Sequence, residues 1–251
     1  MGIFVVDKGI EPRHIEPHIK ESSYIRDVVF GYGDGVNTSL GIVAGVGGAD
    51  VAAGIVILAA LVGMFTGAKA MAVQNYLAVK SQREILESEI KRELYEIENM
   101  PERERQEIED IYLAKGFKGE ELKTIVDKIT SDKDVWLKTM LTEELNLNLD
   151  IAGRPLKSAL TMFGAFLLGG ILPIIPFFFI HGLTALLIAI GVSITSSFIV
   201  GAIKSRMARK NWVKGGIEMA GLGTGIALIG YGIGAELVQV GVIGSEVMQA
   251  G

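Results

Sequence analysis

The sequence predicts an all-α, polytopic membrane fold: five transmembrane helices, with a helical cytoplasmic insert between spans 2 and 3. Three observations predict it. Residues 28–79 and 156–240 are apolar, Gly-rich and nearly free of charge. Residues 80–150, between them, are dense in Glu and Lys. The chain of 251 residues is 49% hydrophobic with a mean hydropathy of +0.41, above the range of an ordinary soluble domain. A bilayer core takes about 20 apolar residues per helical crossing, so the two blocks hold several spans and the charged middle has to lie in water.

The elements follow in order. Residues 1–26 form a polar N-terminal arm without the apolar stretch of a signal peptide. Val6 stands where a myristoylation motif needs Ser or Thr. His14 and His18 are four apart, a metal-capable spacing on a helix, but Pro17 between them favours a solvated arm. Residues 27–79 hold spans 1 and 2. Span 1 is expected over about 27–48, with Gly41 and Gly45 as a small-xxx-small pair. Asp50 is a candidate N-cap for span 2, over about 51–79. The few residues between the spans make them an antiparallel hairpin.

Residues 80–150 read as a soluble helical unit. The helix of span 2 is expected to run on to about 99, with Glu87 and Lys91 at a supporting i,i+4 spacing. Pro101 breaks it, and further helices are expected over about 102–115, 119–129 and 132–149. Residues 151–240 hold spans 3 to 5, expected over about 156–179, 184–203 and 215–238, with Pro173 and Pro176 kinking span 3; residues 241–251 are a tail. Arg26, Lys80, Arg83, Arg154, Lys157 and the basic connector Lys204–Lys214 fall on one side of this arrangement, while the loops near Gly48 and His181 carry no Lys or Arg. By the positive-inside rule the N-terminus, the insert and the connector are cytoplasmic.

Several function classes are excluded. There is no Cys, hence no disulfide, thiolate site or Cys nucleophile. No GxxxxGK[ST] loop supports ATP-driven pumping. The insert has no His, which argues against a ferritin-like di-iron centre. The net charge of −5 averages a neutral membrane part and an acidic insert, and no nucleic-acid partner is expected.

Asp34 is the sharpest candidate residue. It lies seven residues inside span 1, roughly 10 Å deep at 1.5 Å of rise per residue. A carboxylate at that depth costs several kcal/mol unless it faces a partner, an ion or water. Either it lines a cation or proton path, or span 1 starts later and Asp34 sits at the interface. Met71 lies at matching depth in span 2. A thioether beside a carboxylate suits a borderline transition metal, whereas Mg²⁺ and Ca²⁺ want oxygens; a single Met in a membrane helix is also ordinary filler. Lys69, about 200° around the helix from Met71, is open between pairing with an acid, snorkelling and standing in for a cation. In the insert, Glu93 and Glu96 are i,i+3, Glu104 and Glu107 repeat that spacing after Pro101, and Met140 and Glu144 are i,i+4. Packed as a bundle, these faces converge on an acidic pocket containing a thioether. Otherwise they are the solvated glutamates of exposed helices.

The run Arg26-Asp27-Val28-Val29-Phe30-Gly31-Tyr32-Gly33-Asp34-Gly35 resembles the first span of the vacuolar iron transporter family, as does the small-residue run Val43–Ala49. Tyr76-Leu77-Ala78-Val79-Lys80-Ser81 resembles the end of that family's second span, and the likeness extends over about residues 23–240. The resemblance implies a homodimeric, proton-coupled exporter of Fe²⁺ from the cytosol rather than an enzyme. Mn²⁺ is expected as a second cargo and Zn²⁺ as a substitute. It places the insert's metal ligands on Glu93, Glu96, Glu104, Glu107, Met140 and Glu144, and the translocation path on Asp34, Met71 and Asp27. The membrane is expected to be the plasma membrane in a prokaryote, and vacuolar or organellar in a eukaryote. There are departures: family acids fall on Ser23 and Gly63, and Lys69 stands where the family is apolar. They motivate an alternative, a membrane-bound metal sensor that does not transport.

Overall fold

The computed structural model describes residues 22–49, 51–147 and 154–241, and every regular element among them is helical. His14, His18 and Asp50 lie outside the described residues. Helix α1 spans Ser22–Gly48, α2 Ala53–Asn99, α3 Pro101–Ala114, α4 Gly119–Thr130 and α5 Lys133–Thr139, which continues as a wider turn over Met140–Glu144. Then come α6, Pro155–Gly170, α7, Gly182–Met207, and α8, Trp212–Gln239. Two units result: a bundle of α1, the first half of α2, α6, α7 and α8, and an insert built from the second half of α2 with α3 to α5.

Three helices, α2, α7 and α8, are long and apolar enough to cross a membrane. Their flanks keep large apolar side chains exposed, among them Leu58, Val62, Leu187 and Leu228. A contiguous apolar surface of this kind marks a helix that meets something other than water. Helix α1 is 27 residues long and carries Asp27 and Asp34, which lower its hydropathy. It is the centre of the bundle, packing against α2, α6, α7 and α8. Val36, Leu40, Val43 and Ala44 on α1 are wholly enclosed, and Leu40, Val43 and Ala44 share one core with Met64 of α2, Phe166 of α6 and Ala189 of α7.

Glycine sets how closely α1 can be approached. A Cβ on Gly35 would overlap the carbonyl of Phe166, and one on Gly169 would overlap the carbonyl of Tyr32, so α1 and α6 cross backbone to backbone. Gly45 and Gly234 do the same for α1 and α8. Small residues at such crossings supply the van der Waals packing that holds helices together where no hydrophobic effect acts between them.

The structure differs from the expected spans in two places. Span 3 was expected to about 179, but α6 ends at Gly170, and turns and a short 3₁₀ segment, Ile175–Phe178, follow. Pro173 and Pro176 withhold the N–H groups that an α-helix needs there, so the helix stops before them rather than kinking through them. The last insert helix was expected to run to about 149. Instead the Leu145 N–H donates to the Met140 carbonyl at 3.2 Å, an i→i+5 bond, and the helix ends in this wide turn before Asn146, whose φ is +49°. Helix α2 runs unbroken for 47 residues, about 70 Å at 1.5 Å per residue, from the apolar bundle into the charged insert.

The α1–α6 crossing yields a test. Gly35→Val is expected to destabilise the detergent-solubilised protein by about 1–3 kcal/mol, the range for overpacking a close contact. Gly164→Ala, on the same helix pair but with no heavy atom within 4 Å of its added Cβ, is expected to be neutral or slightly stabilising. Thermal melts of the two variants side by side check this.

Candidate metal centre

The centre is assembled by the break at Met100. Pro101 cannot continue α2, because it has no N–H and its ring clashes with the preceding turn, but it starts a helix well. So α2 closes at Asn99 and α3 opens two residues later. The last turns of α2, carrying Glu93 and Glu96, then face the first turns of α3, carrying Glu104 and Glu107. The wide turn Met140–Glu144 closes the third side. Beneath them lies the insert's apolar core of Ile97, Ile108, Leu122, Val126, Ile129, Trp136 and Met140. Asp132 caps α5, its carboxylate accepting from the N–H of Asp134 at 2.9 Å and of Val135 at 3.1 Å, which fixes where that turn starts.

Two carboxylate triads result. Glu93, Glu96 and Glu104 each offer an oxygen within 4.8 Å of the others, and so do Glu104, Glu107 and Glu144. Such separations are spanned by metal–oxygen bonds of about 2.0–2.4 Å. Glu104 belongs to both triads, so two ions would be neighbours sharing one carboxylate. The outer acids have cationic neighbours: Arg92 donates to Glu96 at 3.2 Å, and Arg103 to Glu107 at 3.1 Å. Among the described residues the inner acids, Glu93 and Glu104, form no salt bridge. Glu93 is 2% exposed and Glu104 1%, and each has a buried oxygen without a hydrogen-bond donor.

Burial and neighbouring negative charge set the electrostatics. Burial first, then Glu144 and Glu104, push the Glu93 carboxyl up to about 8. Glu104 is raised by burial and then by Glu107, and Glu144 by burial and then by Glu107 and Glu104. In the metal-free protein Glu93 and Glu104 face each other, and a proton on one of them gives the pair its hydrogen bond. A divalent cation is the other way to satisfy them.

Of the residues expected from the sequence, the structure brings Glu93, Glu96, Glu104, Glu107 and Glu144 together. Met140 is wholly enclosed in the apolar core at the start of the turn that ends in Glu144. Asp34 and Met71 are not brought into one cavity. Asp34 lines a cavity of about 670 Å³ with Arg26, Asn37 and Lys204, between α1, α7 and α8. Met71 lines another, of about 460 Å³, with Arg26, Gln74, Asn75, Gln82 and Met162, between α1, α2 and α6. Lys69 lines neither; it faces Tyr76, Leu160 and Phe163 in a third. At Gly63 a Cβ would meet Ile42 Cδ1, so that side chain occupies the space an acid would need.

Sequence reasoning missed the company of Asp27. Its carboxylate is wholly buried and accepts a hydrogen bond from the Ser158 hydroxyl of α6. Asn75 of α2 donates to the same hydroxyl oxygen at 2.8 Å. Arg26 closes the group with an ion pair to Asp27 at 3.3 Å. The signal available was two polar side chains, Asn75 and Ser158, inside otherwise apolar blocks.

Residues 25–235 match the VIT family. A vacuolar iron transporter 1 of Tulipa gesneriana is 32% identical over 227 residues, covering 90% of this chain and 92% of the relative. A vacuolar iron transporter of Toxoplasma gondii is 34% identical over 238 residues, covering 90% of this chain and 79% of the relative. The vacuolar iron transporter 1 of Oryza sativa is 31% identical, covering 90% of both.

The carboxylate cluster makes the insert's stability depend on pH with a definite sign. Glu93, Glu104 and Glu144 bind protons more tightly in the folded, metal-free protein than in the unfolded chain. Their stabilisation is therefore full below the ordinary Glu value of 4.5 and is lost as pH rises above it, for Glu93 through about 8. Unfolding followed by Trp136 fluorescence, in a Trp212→Phe background, is expected at lower temperature at pH 8 than at pH 5 without metal. Added Zn²⁺ is expected to reverse that order, since metal binds the deprotonated acids.

Proposed function

The chain belongs to the VIT family, and from that premise we propose that it transports divalent transition-metal ions across a membrane, with Fe²⁺ as the principal cargo. The observation that carries the reading is the pair of overlapping carboxylate triads, whose innermost oxygens are buried without donors. A hydrogen-bonding polar group left unsatisfied in a core costs about 1–3 kcal/mol, and a charged one more. A cluster of such groups on the water-exposed insert is explained by a ligand that supplies positive charge. Carboxylate-rich donor sets without His or Cys, with the Met140 thioether on the turn that ends in Glu144, suit Fe²⁺ and Mn²⁺ and do not demand the tighter-binding late metals. Mn²⁺ is therefore the second cargo, and Zn²⁺ serves as a binding substitute.

In this reading the chain crosses the membrane five times, through α1, the apolar half of α2, α6 with the segment after it, α7 and α8. The basic ends of these helices gather near the start of α1: Lys204 lines a cavity with Arg26, and Lys157 stacks over Tyr24 at 4.2 Å. That end faces the cytosol by the positive-inside rule, with the N-terminus and the insert. The insert takes metal from the cytosol, and Asp34 and Met71 pass it through the bundle. These two residues line separate cavities that share Arg26 and Phe30 on their walls. A homodimer is proposed on the family resemblance alone. Export of a divalent cation against an inside-negative potential needs a driving force. With no nucleotide-binding loop in the sequence, a proton gradient running the other way supplies it. The relatives are named for the vacuole, and an organellar membrane is the location that this supports. Binding without transport was motivated by Gly63 and Lys69. That alternative binds metal at the same insert and differs only in moving none, so the flux measurement separates the two readings.

Reconstitution tests the reading. Proteoliposomes with an acidic lumen, loaded with an iron-sensitive dye, are expected to take up Fe²⁺ through the purified protein, and their lumen to alkalise in step as protons leave. Asp34→Ala is expected to abolish uptake. Glu104→Gln, which removes the shared ligand but keeps its volume, is expected to weaken Zn²⁺ binding about 100-fold, in the range seen for loss of a ligand-shell interaction. The same change is expected to leave the metal-free insert more stable at pH 8, because a buried charge has gone. Protein that binds metal but moves none under any gradient would sink the transport reading.

A further inference from the structure

Two cavities open at the start of α1, one holding Asp34 and the other Met71, and Arg26 and Phe30 line both. Phe30 is apolar. Arg26 places a permanent positive charge on the wall shared by two spaces that a cation has to use. Its side chain is 60% exposed, while its partner Asp27 is 0% exposed. Asp27 is in turn held from two other helices, by the Ser158 hydroxyl of α6 and, through it, by Asn75 of α2. Charge, counter-charge and tether thus sit on α1, α1 and α6–α2, the helices that enclose the Met71 cavity.

We infer that Arg26 is a charge gate between the two cavities, and that Ser158 and Asn75 are positioning residues that hold its counter-ion, Asp27, in place. The inference rests on the transport reading above and goes beyond it. A guanidinium has no accessible neutral form, so it repels a divalent ion at every pH and yields only by moving or by being neutralised. Asp27 does the neutralising. Being wholly buried, it does not itself touch a passing ion in this conformation; it acts through Arg26. The hydrogen bond from Ser158 fixes one carboxylate oxygen, which leaves the other for the guanidinium. An α6 that shifts relative to α1 changes that hold, so the gate is coupled to the packing of the bundle.

Charge swaps at the pair test this, because a gate and a ligand respond oppositely. Initial Fe²⁺ flux and half-saturating Fe²⁺ concentration are measured in proteoliposomes containing equal amounts of folded protein, checked by thermal melting. Arg26→Gln is expected to raise flux and lower the half-saturating concentration about three-fold, and Arg26→Lys to behave as the parent. Asp27→Asn, which leaves the cation uncompensated, is expected to slow flux about ten-fold, the effect of roughly 1.4 kcal/mol. The double variant Arg26→Gln/Asp27→Asn is expected to recover the parent flux. Ser158→Ala is expected to show the Asp27→Asn defect at smaller size, and Ser158→Thr none. A double variant as slow as Asp27→Asn would mean that Asp27 is an ion ligand and would overturn the gate. So would an Arg26→Gln protein slower than the parent, and this arm decides the matter if Asp27→Asn does not fold. A parent protein that moves no Fe²⁺ overturns the transport reading and the gate together, whereas a transporting parent with an unrescued double variant overturns the gate alone.

Discussion

Two glutamates facing each other with nothing to balance them are the constraint on which the insert depends. Glu93 and Glu104 are almost wholly enclosed, and each has an oxygen without a donor. Two carboxylates in that position cannot both be charged unless a cation joins them. The fold does not avoid the problem. It aggravates it by adding Glu96, Glu107 and Glu144 around the same point. Arginines compensate only the outer members, Glu96 and Glu107. What compensates the inner pair is a proton or a divalent ion. Competition between these two at Glu93, whose carboxyl is pushed up to about 8, would make metal binding by the insert sensitive to pH.

Helix α2 connects this centre to the bundle. A single 47-residue helix carries Met64 and Met71 at one end and Glu93 and Glu96 at the other. No loop intervenes, so any tilt of its charged half is a tilt of its apolar half. The polar contacts of the bundle are concentrated where α2 leaves it: Asn75 bonds Ser158, which bonds Asp27. These bonds lie between the insert and the deeper residues Asp34 and Met71 along the chain. The region where α1, α2 and α6 are hydrogen-bonded to one another is therefore the polar junction nearest the insert along α2.

Much of this was legible in the sequence, for identifiable reasons. Pro101 and the i,i+3 glutamates on either side of it made converging acids one of two open readings, and the family resemblance chose between them; a helix break of one residue is what leaves the two acidic faces close. The apolar blocks declared the bundle. Three features were not legible. The wide turn at Met140–Glu144 follows from packing around Trp136 and Met140, and nothing in the local residue types distinguishes it from a regular helix. The early end of α6 turned on whether Pro173 and Pro176 kink or stop a helix, which depends on what surrounds them. The separation of Asp34 from Met71 was hidden because matching depth along two helices says nothing about which faces they present. The group around Asp27 was half visible, as stray polar residues, but its connectivity needed the crossing of α1 and α6 at Gly35 and Gly169.

The donor set also limits what kind of metal site this is. A storage or catalytic centre gains affinity from His or Cys ligands, and the triads contain neither. Oxygen-only sites follow the weak end of the affinity order for Fe²⁺ and Mn²⁺. Weak binding is a defect in a storage site and a requirement in a relay, where each ion has to leave as readily as it arrives. The raised Glu93 carboxyl pushes the same way, since an ion bound there at neutral pH competes with a proton. Glu104, common to both triads, makes the two positions interdependent: an ion in one draws on the carboxylate that the other shares. Two adjacent weak sites sharing a carboxylate would favour release when both fill, which fits the proposed relay better than storage.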